Sequence, residues 1–203
     1  MTTLEAITQA PQSGQKPTAQ IVILHGWGAN ARDLVALAPA LGLSDYQLVF
    51  PNATFPHPQV PGGRMWYDLQ HPDWQGLDES RTTLKQWLLD LATQTEIPLE
   101  QTILAGFSQG GAMTLDIGLQ LPVKALVIFS GYLHPGLTVT RETLPPIAVI
   151  HGTQDQVVPI EAAQKTQQFL ENQGANFEYH EFPMGHEIPP VAIATMRKFI
   201  QKL

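Results

Sequence analysis

Gly106-Phe107-Ser108-Gln109-Gly110 has the spacing G-x-S-x-G, which suits a serine hydroxyl presented on a sharp strand-to-helix turn. A serine attacks a carbonyl effectively only when a base removes its proton, so the motif predicts an acid and a histidine further along the chain. Both follow in that order. Asp155 ends His151-Gly152-Thr153-Gln154-Asp155, and His186 ends Met184-Gly185-His186. The expected roles are Ser108 as nucleophile, His186 as general base and Asp155 as the acid that fixes the histidine tautomer. Each residue has a plainer explanation alone: a helix-capping serine in a glycine-rich turn, an aspartate capping a helix near Pro159, a surface histidine. Their joint placement, each just after a strand pattern, favours the catalytic reading.

Attack on a carbonyl creates an oxyanion, which backbone amides can stabilise. One donor is expected from the residue after the nucleophile, Gln109, and another from the loop after an early strand, His25-Gly26-Trp27-Gly28, where Trp27 is the candidate. The same loop matches the dinucleotide spacing Gly26-x-Gly28-x-x-Ala31. However, Phe50-Pro51-Asn52 stands where that fingerprint needs an acidic ribose partner, so no cofactor is expected. The seven histidines show no H-E-x-x-H or comparable spacing, and no metal is expected either. His25 and His151 each precede a glycine at a strand end and are read as imidazoles that brace loops. With no cysteine in the chain, disulfides, thiolate ligands and a cysteine nucleophile are excluded.

The elements that must position these residues are also legible. Residues 19–24, 47–50, 102–105, 125–129 and 147–150 are apolar runs of the kind found in strands buried on both faces. Residues 177–182 are more mixed, as in an edge strand, and 4–9 could add another. Between them Leu84, Trp87, Leu88 and Leu91 recur with helical spacing, as do Ile193, Met196 and Ile200. Such alternation predicts an α/β fold with one mostly parallel sheet and helices on both faces, its chemistry beyond the carboxyl ends of the strands. The irregular stretch 51–77 holds five prolines together with Phe55, Trp66, Tyr67 and Trp74. So many aromatics predict a packed loop near the site rather than disorder.

The 203 residues fit one domain, 43% hydrophobic and 14% charged, with enough length to bury roughly 70% of the unfolded surface. A net charge of −7 disfavours nucleic acid and anionic membranes as partners. The longest apolar run is five residues and the first twelve residues lack a basic, apolar leader. The expectation is a cytoplasmic protein with no membrane span. Nothing in these patterns sets an oligomeric state.

Taken together, His25-Gly26-Trp27-Gly28, Met65-Trp66-Tyr67-Asp68, the Ser108 motif extended through Gly111-Ala112-Met113, the Asp155 motif extended through Gln156-Val157-Val158-Pro159, and Gly185-His186 resemble the phospholipase/carboxylesterase family of α/β-hydrolases. The resemblance runs from about residue 19 to the end. It implies Ser108, Asp155 and His186 as a triad, the amides of Trp27 and Gln109 as the oxyanion hole, and no cofactor. Substrates implied are carboxylic esters, lysophospholipids or acyl-protein thioesters. A hydrolase-fold binding module without activity is the rival from another class, but such modules normally lose a catalytic residue. Two departures stand out. Trp27 occupies a position where the family often has Leu, and the segment 52–66 is compact and proline-rich, either of which would narrow an acyl channel. Phe55, Trp66, Tyr67 and Trp74 are the candidates to line that channel, with simple packing as the alternative.

Overall fold

Strands that are apolar on both faces can be satisfied only between two helix layers. In the computed structural model, which describes residues 4–203, the strands are β1 (Ala6–Gln9), β2 (Gln20–Leu24), β3 (Gln47–Pro51), β4 (Phe55–Pro56), β5 (Arg64–Met65), β6 (Thr102–Phe107), β7 (Ala125–Phe129), β8 (Ile147–Gly152) and β9 (Phe177–Phe182). Seven form one sheet in the order β1-β3-β2-β6-β7-β8-β9, while β4 and β5 make a separate ribbon. Among the described residues, only the edge strand β1 of the large sheet runs antiparallel to its neighbour. The mixed strand β9 takes the opposite edge, as its composition predicts.

The helices are α1 (Ala31–Val35), α2 (Ala38–Leu41), α3 (Leu77–Thr95), α4 (Gln109–Gly118), α5 (Ile160–Asn172) and α6 (Pro190–Ile200). Alternate strand residues feed two cores. Val22, Leu104, Leu126 and Val149 pack with Leu84 and Leu88 of α3, Leu115 of α4 and Leu170 of α5. Ile21, Ile103, Val127 and Ile150 pack with Leu34 of α1, Leu41 of α2, and Ile193 and Met196 of α6. Among the described residues no helix is long and apolar enough to cross a membrane.

Register brings the carboxyl ends of the central strands level: Leu24 faces Gly106, Phe107 faces Phe129, and Gly152 faces Phe182. The loops after β2, β6, β8 and β9 therefore leave from one edge of the sheet. Each carries residues singled out from the sequence.

Two differences from the sequence reading matter. β6 and β8 each extend two residues beyond the apolar run, to Phe107 and Gly152, because ladder pairing continues where side-chain hydropathy no longer signals it. The stretch 51–77 is not irregular throughout, since β4 and β5 pair as Phe55↔Met65 inside it. That ribbon braces the loop after β2: Gly28 N donates to Arg64 O at 2.9 Å and Arg64 N to Ala29 O at 2.8 Å.

Candidate active site

Ser108 stands where β6 turns into α4, with φ 55° and ψ −118°, a conformation that an L-residue holds only under constraint. Close packing supplies the constraint. A Cβ on Gly106 would collide with Gly110 and Thr114, and one on Gly110 with the carbonyl oxygens of Leu24 and His25. The absence of both side chains lets α4 press against β6 and β2. The Ser108 amide then closes the turn on Phe129 O at 2.8 Å.

His186 follows β9 and shares with Ser108 the lining of a cavity of about 500 Å³. Its ring packs on Phe107, the residue before Ser108, with centroids 4.7 Å apart. His186 Nδ1 lies 2.7 Å from Asp155 Oδ2. An ionised carboxylate only accepts, so the proton sits on Nδ1 and Nε2 is left with a lone pair.

Asp155 is 7% exposed. Its second oxygen accepts the amides of Val157 at 2.9 Å and Val158 at 2.8 Å. Burial alone would raise the carboxyl pKa, but the hydrogen bonds from His186, Val158 and Val157 outweigh it and hold it below the ordinary 3.8. His151 braces the same turn, its Nε2 lying 2.8 Å from Val158 O.

The loop after β2 passes close to Ser108: a Cβ on Gly26 would stand 3.3 Å from Ser108 Cβ. Trp27 follows in that loop and lines the cavity. Gln109 is the first residue of α4, where a helix leaves its amides without intrahelical partners. Neither the Trp27 nor the Gln109 amide donates to a backbone carbonyl among the described residues. His25 holds the loop from beneath. Nδ1 lies 2.7 Å from Gly26 O, and Nε2 accepts the Ala53 amide at 3.0 Å. Burial lowers its pKa from 6.5 to about 4. Both imidazoles read as loop braces thus have backbone partners.

The four aromatic candidates divide unevenly. Trp74 lines the cavity, but Trp66 and Tyr67 are 0% exposed and belong to the core. Phe55 is half-buried in β4 with its ring against Gly76. Of these four, Phe55, Trp66 and Tyr67 lie outside the lining, for a physical reason. The Trp66 indole donates to His25 O at 3.0 Å. The Gln109 side chain accepts the Trp66 amide at 2.9 Å and donates to Tyr67 O at 2.7 Å. The pair supports the loop after β2 and the elbow from behind.

The proline-rich segment 52–66 contributes no lining residue either. The apolar wall comes instead from Leu69, Phe107, Tyr132, Val157, Val158 and Pro159, alongside Trp27 and Trp74. Several of these adjoin the motif residues in sequence, which was the available signal for them. Among the described residues, no three His, Asp or Glu side chains are grouped as a metal site would require.

The phospholipase/carboxylesterase family model matches residues 6–203. The acyl-protein thioesterase 1 of Mycosarcoma maydis is 29% identical over 236 residues, spanning 100% of this chain and 98% of that protein. The acyl-protein thioesterase 1 of Saccharomyces cerevisiae is 30% identical over 208 residues, spanning 90% and 91%. Among solved structures, that of esterase PE8 superposes with a TM-score of 0.87 at 31% identity over 99% of both chains. The sheet order, the strained elbow and a match running almost end to end agree: this chain has the α/β-hydrolase fold and belongs to the phospholipase/carboxylesterase family.

Proposed function

We propose that the protein is a serine carboxylesterase that hydrolyses short-to-medium acyl esters through an acyl-enzyme. The observation that carries this reading is the 2.7 Å His186–Asp155 contact beside a Ser108 that shares the cavity with His186. His186 Nε2 takes the Ser108 proton as the hydroxyl attacks the substrate carbonyl, and Asp155 stabilises the imidazolium. The oxyanion forms against the amides of Trp27 and Gln109. The alcohol departs with the proton from His186, and water repeats the sequence on the acyl-enzyme.

The apolar wall of Trp27, Leu69, Trp74, Phe107 and Val158 supports an acyl chain as the group bound. A second reading, hydrolysis of acyl-protein thioesters, is supported by the relatives from Mycosarcoma maydis and Saccharomyces cerevisiae that bear that name. It uses the same triad on a different leaving group, as would a lysophospholipase. The esterase and lysophospholipase readings take a small-molecule or lipid ester as the partner, and the thioesterase reading takes an acylated protein.

A fluorophosphonate probe tests the chemistry. Labelling should map to Ser108 and vanish on heat denaturation, whereas an inert binding module would not react. A panel of p-nitrophenyl esters, a lysophospholipid and an acyl thioester then separates the substrate readings by kcat/KM.

A further inference from the structure

A chain of polar side chains runs from Arg81 of α3 through buried groups towards the cavity and has no part in the reaction just described. Arg81 of α3 donates to Asp116 Oδ2 at 2.7 Å. His134 Nδ1 lies 2.7 Å from the same oxygen. Tyr67 Oη is 2.8 Å from His134 Nε2 and 2.6 Å from Tyr132 Oη. Asp116 and Tyr67 are almost wholly buried and His134 is 4% exposed, while Tyr132 lines the cavity.

The protons along this chain have one consistent arrangement. Asp116 is ionised, since Arg81 and His134 both hydrogen-bond it, so His134 Nδ1 carries a proton. Arg81 already balances the Asp116 charge, and burial lowers the His134 pKa, so the imidazole is neutral and Nε2 is an acceptor. Tyr67 must therefore donate to His134. Its oxygen is then free to accept, and the Tyr132 hydroxyl donates to it. The single proton of Tyr132 is thus committed inward, and only its lone pairs are left for a ligand.

Apart from Ser108 and His186, Tyr132 is, among the described residues, the one lining the cavity whose side chain can accept a hydrogen bond, because the indoles of Trp27 and Trp74 only donate. We propose that Tyr132 determines specificity: with its proton pinned by Tyr67, His134 and Asp116, its hydroxyl oxygen is an acceptor that selects esters or thioesters carrying an O–H or N–H donor near the scissile bond. The inference rests on the esterase reading of Ser108.

Matched substrates test it on both sides of the carbonyl. On the acyl side, p-nitrophenyl 3-hydroxybutyrate is compared with its 3-methoxy counterpart. On the leaving-group side, the butyryl thioester of N-acetylcysteamine is compared with its N-methyl analogue. The wild type should favour the donor-bearing member of at least one pair by up to about tenfold in kcat/KM, the scale of one added hydrogen bond. Tyr132→Phe should bring that ratio towards one. Tyr67→Phe frees the Tyr132 proton to point into the cavity, so it should also shrink the preference and help the methoxy ester, whose ether oxygen accepts. Ratios within one preparation cancel any loss of folded protein. Equal rates within both wild-type pairs, or a preference that survives Tyr132→Phe, would overturn the assignment. Absence of all turnover would instead defeat the esterase reading, and this inference with it.

Discussion

At Ser108 the backbone and the side chain make opposite demands, since the hydroxyl is needed at a φ of 55° that its Cβ resists. With Ser108 as the proposed nucleophile, Ser108→Ala should lower kcat/KM by several orders of magnitude. Because alanine keeps the Cβ, it should leave stability nearly unchanged. Ser108→Gly removes the Cβ and should be more stable than Ser108→Ala by about 1 kcal/mol in urea unfolding. Identical midpoints for the two would mean that no strain is stored there. A second residue-scale prediction concerns His25, 0% exposed with a pKa of about 4 against 6.5 when unfolded. The unfolded chain takes up that proton first, so this contribution is intact above pH 6.5 and falls as pH drops from 6.5 towards 4, by up to about 3 kcal/mol. Asp155 and Asp116 are held below their ordinary 3.8, so the stability they add is present above that value and is lost only at lower pH. The urea midpoint should therefore decline from pH 7 to 4, and the decline should be shallower in His25→Asn. Parallel profiles would contradict a buried neutral His25.

At the scale of elements, the candidate active site is one strand-to-helix turn clamped against one loop, and Gln109 joins the two. Its amide is the proposed oxyanion donor, while its side chain holds Trp66 and Tyr67 at 2.9 and 2.7 Å. Gln109→Ala keeps the amide but leaves two buried backbone groups unpaired, which should cost about 1–3 kcal/mol each. Activity should fall too, mainly in kcat, because the indole of Trp66 supports the loop that carries Trp27. A variant with wild-type stability and kcat would show that this clamp is dispensable. The helix periodicities of α3 and α6 and the apolar runs of the central strands were readable in advance, because each reports burial by its own spacing. The β4–β5 ribbon was not, since two-residue strands carry no periodicity.

For the whole molecule the depth of the cavity is a joint property of many segments, since its lining comes from the loops after β2, β6, β7, β8 and β9 together with 69–74. Each methylene that fits should add up to about 0.8 kcal/mol of binding, so kcat/KM should climb with acyl length and then fall. The turning point is expected at roughly four to eight carbons on that per-methylene scale. Trp27 lines the cavity with its ring wedged edge-on against His57, centroids 4.3 Å apart. Trp27→Leu should shift the optimum to longer chains, because the side chain shrinks while the backbone donor stays. A p-nitrophenyl ester series on both proteins checks this: an optimum at sixteen carbons in the wild type, or one unmoved by the substitution, refutes it.

What the sequence determined by itself was whatever local spacing encodes. The alternation of strands and helices, the elbow around Ser108, and the placement of Ser108, Asp155 and His186 just after β6, β8 and β9 are each signalled by neighbours within a few residues. The fold then places those residues at one sheet edge because parallel strands share their carboxyl ends. Tertiary structure alone decided which side chains face the cavity. Trp66 and Tyr67 were as plausible as Trp74 by composition, yet packing behind the elbow buries the first two and leaves only the third in the lining. The Asp116–His134–Tyr67–Tyr132 chain was equally invisible, because its members lie 18, 67 and 65 residues apart. An aromatic or polar residue states what it can bond to, but its partner is chosen by three-dimensional proximity, which no local pattern records.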